Sequence, residues 1–407
     1  MLKRHLEQNI ICKISHNNVL YLNGPRQCGK STLIYNLKDQ INADYLTFDH
    51  YANLMKARND PEGFLDNSPR NLILDEVQLA PEIFRPLKAF IDTQRINRTS
   101  KKIILTGSVD IMSLPFLSDA LVGRMNLLTL YPLSVSESLS LNKSNIHDLF
   151  NEAPLAWQSP TISFKEAIAL STFPEIVVND MLDKYDWFEN YITTLLHRDI
   201  KQLADIQKIA EFPKVLGLLA ARVGGLLNDT NIAVESSLSL TSYRRYRSLL
   251  EAVFMIYLVP AWHANQSKRL IKSPKLYFND TMLLLHLLRQ PLDKLTLCEP
   301  VFGHIIENFV GSELSKAIQG EKIRLYHYRD TNQTEVDFVL ENAEGDLVAI
   351  EVKAKTNISN RDLNNLKSFQ KICGEKLKKC YVMHLGNAPY PIEKGFEALP
   401  INFFFQT

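Results

Sequence analysis

The chain has 407 residues, 45% of them apolar, with 46 basic and 45 acidic side chains and a net charge of +1. That length predicts two to four domains, and the balanced charge excludes a global polyanion-seeking field, so any nucleic-acid surface must come from local clustering. Five cysteines (Cys12, Cys28, Cys298, Cys373, Cys380) form no C-x-x-C pair, which argues against a disulfide framework or zinc site and suits a reducing cytosol. The first residues lack the apolar core of a signal peptide, and the greasiest later run, 252–262, is too short to span a bilayer and contains Pro260. A soluble cytoplasmic protein with no membrane partner is expected.

Residues 1–142 alternate strand-like and helix-like segments and read as the first domain. Gly24-Pro25-Arg26-Gln27-Cys28-Gly29-Lys30-Ser31 spells G-x-x-x-x-G-K-S between the apolar run Val19-Leu20-Tyr21-Leu22 and a helix-like stretch from Thr32 to Lys38. Strand, loop and helix are the context a phosphate-binding loop requires. Residues Gly24 to Thr32 are the expected ATP contacts: the backbone wraps an anion, Lys30 reaches the β/γ-phosphates, and the Ser31 hydroxyl holds Mg²⁺. Asp44 to Asp49 looks like a second strand, with Asp49 either near the nucleotide at the strand end or, the favoured reading, capping the next helix. Asn71 to Glu76 is an apolar strand ending in two acids: Asp75 is expected to hold the metal through water and Glu76 to polarise the attacking water. Lys102 to Ser108 is a further buried strand whose tip places Thr106 or Ser108 near the γ-phosphate. Short, wholly apolar runs predict a parallel sheet covered on both faces, with ligands at the carboxyl ends of its strands. Leu121-Val122-Gly123-Arg124 and a strand over 127–131 close the unit.

Residues 143–163 are polar and proline-containing and read as a loop or linker within a helical region, 143–228. Apolar residues at three- and four-residue steps predict helices over 185–203 and 212–227. Residues 229–295 read as a DNA-binding module: a helix-turn-helix over 230–257 with an N-cap candidate at Ser239, then a basic stretch over 268–275 that could form a wing. Arg244, Arg245, Arg247, Lys268, Arg269 and Lys272 are the phosphate-contact candidates, and Glu251 is the only acid between Tyr243 and Lys275.

From 296 to 407 the pattern gives an amphipathic helix over 301–318 and strands over 323–328, 334–340, 347–352 and 379–384, with a turn at 342–346 and a helix over 361–373. Residues two apart in a strand share a face, so Glu351 and Lys353 point together, and folding back about Gly345 brings Asp337 opposite them. With Glu307 from the preceding helix, they form an expected Mg²⁺ site for phosphodiester hydrolysis, with Asp337 and Glu351 as ligands and Lys353 assisting. A solvated strand edge carries the same E-x-K pattern. Glu313 reads as a paired buried acid, and Gln370 as a contact to DNA or to this site.

These motifs together resemble a prokaryotic family of AAA+-type P-loop ATPases with a C-terminal restriction-endonuclease-like, PD-(D/E)xK, domain of unknown function. The resemblance rests on Gly24-Pro25-Arg26-Gln27, Leu74-Asp75-Glu76-Val77-Gln78, Leu105-Thr106-Gly107-Ser108, Leu121-Val122-Gly123-Arg124 and His197-Arg198-Asp199-Ile200. It continues in Lys272 to Asp280, Glu307-Asn308-Phe309-Val310, Glu335-Val336-Asp337-Phe338 and Ile350-Glu351-Val352-Lys353. It implies an α/β chain with an AAA+-like parallel sheet, a central winged-helix region and an α/β nuclease-like domain. Arg124 is the candidate arginine finger, with a local salt bridge as the other reading, and Arg198 has the same two readings beside Asp199. No second sensor arginine in a helical lid is legible after residue 150, which counts against a hexameric ring.

Two functions follow. One is a Mg²⁺-dependent ATPase that couples hydrolysis to binding or processing duplex or branched DNA, with the terminal domain binding or cutting it. The other is a nucleotide-dependent switch that controls assembly, as a homo-oligomer or with a partner, on a catalytically dead nuclease fold.

Overall fold

A computed structural model describes residues 2–405 apart from 68–69, 98–100, 111–122, 152, 154, 156, 159–161, 201–208 and 297–300. The side chains of residues 199, 209 and 266 also lie outside the description. Leu121, Val122 and Cys298 therefore fall outside it. The chain divides into two compact units: one formed by Lys3–Pro132 with Ser248–Phe254, the other by Leu133–Arg247 with Met255–Thr407. Among the described residues, no helix is long and apolar enough to cross a membrane.

The first unit is built on β1 (Val19–Asn23), β2 (Ala43–Thr47), β3 (Asn71–Asp75), β4 (Ile103–Gly107) and β5 (Asn126–Thr129), wholly parallel in the order β2-β3-β4-β1-β5. Alternation along the strands fills both faces. Tyr21, Leu72, Leu74, Ile103 and Leu105 face a layer of Phe84, Leu87 and Ile91 from α5 (Phe84–Asn97). Leu20, Leu22, Ile73 and Ile104 face Ile10 of α1 (Glu7–His16) and Leu33 and Ile34 of α2 (Lys30–Leu37). On the first of these faces lie α3 (Tyr51–Asn59), which adds Ala57, and α4 (Pro61–Asp66), which adds Leu65. The cap of α3 differs from expectation. His50, not Asp49, is the N-cap, and no side chain bonds there; the Asp49 amide instead donates to Thr47 Oγ1.

The second unit begins with α6 (Val135–Ser138), α7 (Phe164–Leu170), α8 (Pro174–Val178) and α9 (Lys184–Thr194). Residues 143–163, expected to be a loop or linker, carry one turn that packs inward. Ile146 and Leu149 are buried in a 3-10 turn, and Leu149 O accepts the Tyr381 hydroxyl, because two apolar side chains in a polar stretch suffice to anchor it. Then come α10 (Phe212–Ala220), α11 (Asp229–Glu235) and the part of α12 (Leu240–Ala252) that ends at Arg247; Ser239 Oγ accepts from Ser242 N at its start, as the N-cap rule predicts. The antiparallel pair β6 (Ile256–Val259) and β7 (Lys275–Phe278) follows. The stretch between them is not a simple wing: α13 (Gln266–Arg269) forms there, and Ala261 bridges His327 of the next sheet.

α14 (Thr281–Leu287) leads to α15 (Phe302–Ala317), which is buried on nearly every side, as a helix at the centre of a domain must be. The terminal sheet contains β8 (Arg324–Arg329), β9 (Glu335–Glu341), β10 (Leu347–Lys353), β11 (Leu377–His384), β12 (Tyr390–Glu393) and β13 (Phe396–Pro400), in the order β12-β13-β11-β10-β9-β8. β8, β9 and β10 form an antiparallel meander, while β10-β11 and β11-β13 are parallel. α16 (Asn364–Cys373) covers the sheet with Leu366 and Phe369.

Candidate functional site

The loop after β1 is shaped by close backbone approach. Gly24 has φ 145°, and a Cβ there would lie 2.1 Å from Leu130 O, so only glycine fits. Gly29, at φ 95°, turns the chain into α2. Arg4, buried, donates to Cys28 O at 2.6 Å and Tyr131 O at 2.7 Å, and the buried Cys28 Sγ donates to Leu130 O at 3.1 Å. Arg4 was not singled out from the sequence, since it lies far from the loop along the chain. Lys30 is buried, and its Nζ donates to Gly24 O at 2.9 Å and Pro25 O at 2.8 Å. Arg26 and Ser31 are half-buried, and Gln27 and Thr32 exposed, on the same loop and first turn.

The parallel sheet brings the expected acids to the carboxyl ends beside this loop. Asp75 Oδ1 accepts the Thr106 hydroxyl and Oδ2 accepts the Tyr45 hydroxyl at 2.5 Å. Tyr45 also hydrogen-bonds Ser31, and burial raises its pKa far above the usual tyrosine value. Ser31 and Asp75, the two expected Mg²⁺ ligands, are thus joined through one intervening hydroxyl oxygen. Glu76 has φ 58°, a left-handed conformation costly for a residue with a side chain. Its carboxylate accepts the Gln78 amide, which also donates to the buried Ser108 Oγ at 3.1 Å. Tyr45 and Gln78 were missed as site residues: nothing in its local sequence marks Tyr45, and Gln78, although it ends the Leu74–Gln78 motif, carries no charge that points to a role. Only strand pairing brings Tyr45 opposite Ile73 and its tip to Asp75.

This donor set fits a nucleoside triphosphate with Mg²⁺. An ammonium and a glycine-bounded loop suit the phosphates, and a hydroxyl beside a carboxylate suits a hard cation that takes oxygen ligands.

Arg124 pairs with Asp92, Nε to Oδ1 at 2.9 Å and Nη2 to Oδ2 at 3.1 Å. Arg198 is exposed in a π-helical turn, Leu195–Ile200.

The second cluster assembles largely as the strand spacing predicts. The β9–β10 register runs to Ile350 opposite Phe338, so the next step sets Glu351 opposite Asp337. Glu307, Asp337 and Glu351 are all buried. At their centre sits a residue not expected there. Lys275, 1% exposed, places Nζ 3.0 Å from Glu307 Oε1, 2.9 Å from Asp337 Oδ1 and 2.7 Å from Glu335 Oε1. Tyr277 donates its hydroxyl to Glu307 Oε1 at 2.6 Å. Asp337 Oδ2 accepts Val352 N at 2.9 Å, and Lys353 Nζ donates to Glu351 Oε1 at 2.7 Å. Glu351 Oε2 is buried without a hydrogen bond. Burial, reinforced by the Asp337 charge, pushes Glu307 up to about 7 and Glu351 up to about 8.

Among the described residues, no group of three or more acid, histidine or cysteine side chains is arranged to hold a metal ion. The Mg²⁺ expected on Asp337 and Glu351 does not fit: both Asp337 oxygens and one Glu351 oxygen are already committed. Glu313 is a buried paired acid as read from sequence, accepting Ser171 Oγ at 2.6 Å and Lys316 Nζ at 3.0 Å. Gln370 lies beside Gly395.

The phosphate-contact candidates divide. Arg245 and Lys268 are exposed. Arg244 is also exposed but pairs with Asp229 at 3.0 Å, and Arg247 pairs with the same carboxylate at 3.4 Å. Arg269 makes a bidentate pair with Glu341, at 2.6 and 3.0 Å, and Lys272 Nζ donates to Arg329 O at 2.8 Å. The sequence between 243 and 275 holds one acid, but the fold brings in Asp229 and Glu341 from outside it.

Three family models match the chain: an AAA domain over residues 16–139, a domain of unknown function (DUF8612) over 161–294 and another (DUF4143) over 302–404. The loop, the paired acids and the parallel sheet agree with the first, and the N-terminal unit is a P-loop ATPase domain of AAA type. The chain is 27% identical to the uncharacterized protein Rv2008c of Mycobacterium tuberculosis over 394 residues, 96% of this chain and 81% of that one. Among solved structures it is similar to the Walker-type ATPase PABY2304 of Pyrococcus abyssi (TM-score 0.41, 12% identity, 70% of this chain and 96% of that one). AMPPCP-bound DnaA from Aquifex aeolicus gives a TM-score of 0.32 at 13% identity over 62% of this chain and 89% of that one.

Two measurements test the geometry. Gly24→Ala forces its Cβ into Leu130 O, so ATP binding is lost and the N-terminal unit melts lower, by at least about 2 kcal/mol of stability; unchanged binding refutes the close approach. Glu307 and Glu351 have folded pKa values raised above their ordinary 4.5. Their contribution is therefore full below pH 4.5 and lost as pH rises through 7 to 8. Thermal melts of wild type fall over that window, and Glu351→Gln flattens the fall.

Proposed function

We propose that the protein is a Mg²⁺-dependent ATPase whose nucleotide cycle acts on DNA held by the helical module. The observation that carries the ATPase part is the placement of Lys30 and Ser31 after β1 and of Asp75 and Glu76 at the end of β3, with the Tyr45 hydroxyl bonded to both Ser31 and Asp75. Lys30 would exchange its loop carbonyls for phosphate oxygens, and Ser31 and Asp75 would hold the ion. Mg²⁺, when bound, neutralises charge on the phosphates. Glu76 orients and deprotonates the attacking water once its carboxylate leaves the Gln78 amide, and Ser108, on the same amide, senses that change. Arg124 serves as a finger toward a neighbouring copy only by leaving Asp92.

The DNA part is supported by three helices followed by a two-stranded antiparallel sheet, a winged-helix order, and by the exposed Arg244, Arg245 and Lys268. Phosphate contacts of this kind weaken steeply with salt. Arg269 and Lys272 are engaged inside their own unit; the second reading, in which ATP controls assembly with a protein partner or another copy, needs no DNA contact from them.

Lys30→Ala is expected to abolish hydrolysis. Glu76→Gln should keep ATP affinity within a few-fold while turnover drops by about 100-fold or more; normal turnover in Glu76→Gln refutes the base assignment. ATP turnover measured with single-stranded, duplex and branched DNA should rise with at least one, and Arg245→Glu with Lys268→Glu should remove that rise. A rate indifferent to every DNA, with an ATP-dependent change in oligomer size, selects the second reading.

A further inference from the structure

Three carboxylate oxygens, from Glu307, Glu335 and Asp337, converge on one point in the terminal domain, and Lys275 Nζ occupies it at 2.7–3.0 Å. These are charge-assisted hydrogen-bond lengths. Mg²⁺ takes oxygens at about 2.0–2.1 Å and Ca²⁺ at about 2.3–2.6 Å, so the cage is set for an ammonium. The lysine is as deeply buried as any core side chain, at 1% exposure, and its charge is tolerated there only because these partners surround it. Lys275 begins β7, outside the terminal sheet, so the cluster also ties β7 to α15 and β9. Two further bonds do the same: Phe278 N donates to Asn308 Oδ1 at 2.8 Å, and Ser312 Oγ donates to Asn279 O at 2.9 Å.

We propose that this acid cluster is a closed internal ion-pair core: the Lys275 ammonium stands where a metal-dependent phosphodiesterase would carry its divalent cation, and the terminal domain clamps β7 instead of cutting nucleic acid. Asp337 serves twice, with Oδ1 on Lys275 and Oδ2 on Val352 N. Lys353, the residue expected to assist hydrolysis, instead donates to Glu351 Oε1. The proposal is independent of the ATPase reading, since none of these residues belongs to the phosphate loop.

The test uses the full chain without nucleotide, with Mn²⁺ titrated and the free ion followed by electron paramagnetic resonance. Wild type and Asp337→Asn should leave the same free-Mn²⁺ signal. Lys275→Met, which keeps length but not charge, should take up about one further ion per chain, and adding Asp337→Asn should abolish that uptake. Two results overturn the proposal: Mn²⁺ uptake by wild type that Asp337→Asn removes, or a folded Lys275→Met that takes up none. If Lys275→Met does not fold, DNA incubated with Mg²⁺ decides. Cleavage by wild type that is lost in Asp337→Asn refutes the closed core, whereas DNA left intact by both supports it.

Discussion

A buried ammonium must find oxygen partners inside the fold, and both candidate sites of this protein are organised by how that demand is met. Leaving a charge unpaired in the interior costs several kcal/mol. Lys30 answers with two neutral carbonyls of its own loop. Those are weak partners for a full positive charge, so a polyanion arriving at the loop competes with them successfully. Lys275 answers with three carboxylates. An anion brought there would meet three acid side chains, and a cation could enter only by expelling the lysine. The same side chain is thus poised for a ligand in one unit and locked in the other, and the difference lies in the charge of its neighbours.

In the N-terminal unit the sheet order does most of the positioning. β1 lies between β4 and β5, and β3 lies between β2 and β4, so the loop after β1 and the acids after β3 are separated by the tip of β4, which supplies Thr106 and Ser108. The left-handed Glu76 and its hydrogen bond to Gln78 hold the carboxylate in a conformation it would not choose alone. Strain of this kind persists only where surrounding contacts over-determine it, and here the neighbours are the buried Asp75 and Val77.

The helical module shows how a charge run in sequence differs from a charged surface. Residues 243–275 read as strongly basic, yet Asp229 lies against Arg244 and Arg247, and Glu341 grips Arg269. What stays open is smaller: Arg245, Lys268 and the outer face of Arg244. The basic stretch after β6 serves the packing of its own unit, with Arg269 over the Trp262 and Tyr326 rings, so its positive charge is spent on cohesion before any partner arrives.

Much of the first site was legible in the sequence because its parts are contiguous. The glycines, lysine and hydroxyl of the loop lie within residues 24–32, and each acid ends an apolar strand, so local spacing carried the chemistry. The Asp337–Glu351 pairing was legible for a similar reason, since a hairpin about Gly345 fixes its own register. Arg4, Tyr45 and Lys275 were not, because each reaches its site by tertiary contact from elsewhere in the chain and its neighbours in sequence say nothing of its destination; Gln78 stands two residues from Glu76, but only the fold aims its amide at Glu76 and Ser108 together. By itself the sequence determined where phosphate-binding and acid side chains stand relative to the strands, since backbone periodicity translates spacing into facing. Only the folded chain decided which charges cancel, because Coulomb attraction acts through space and Lys275 meets its carboxylates only after β7, α15 and β9 have come together.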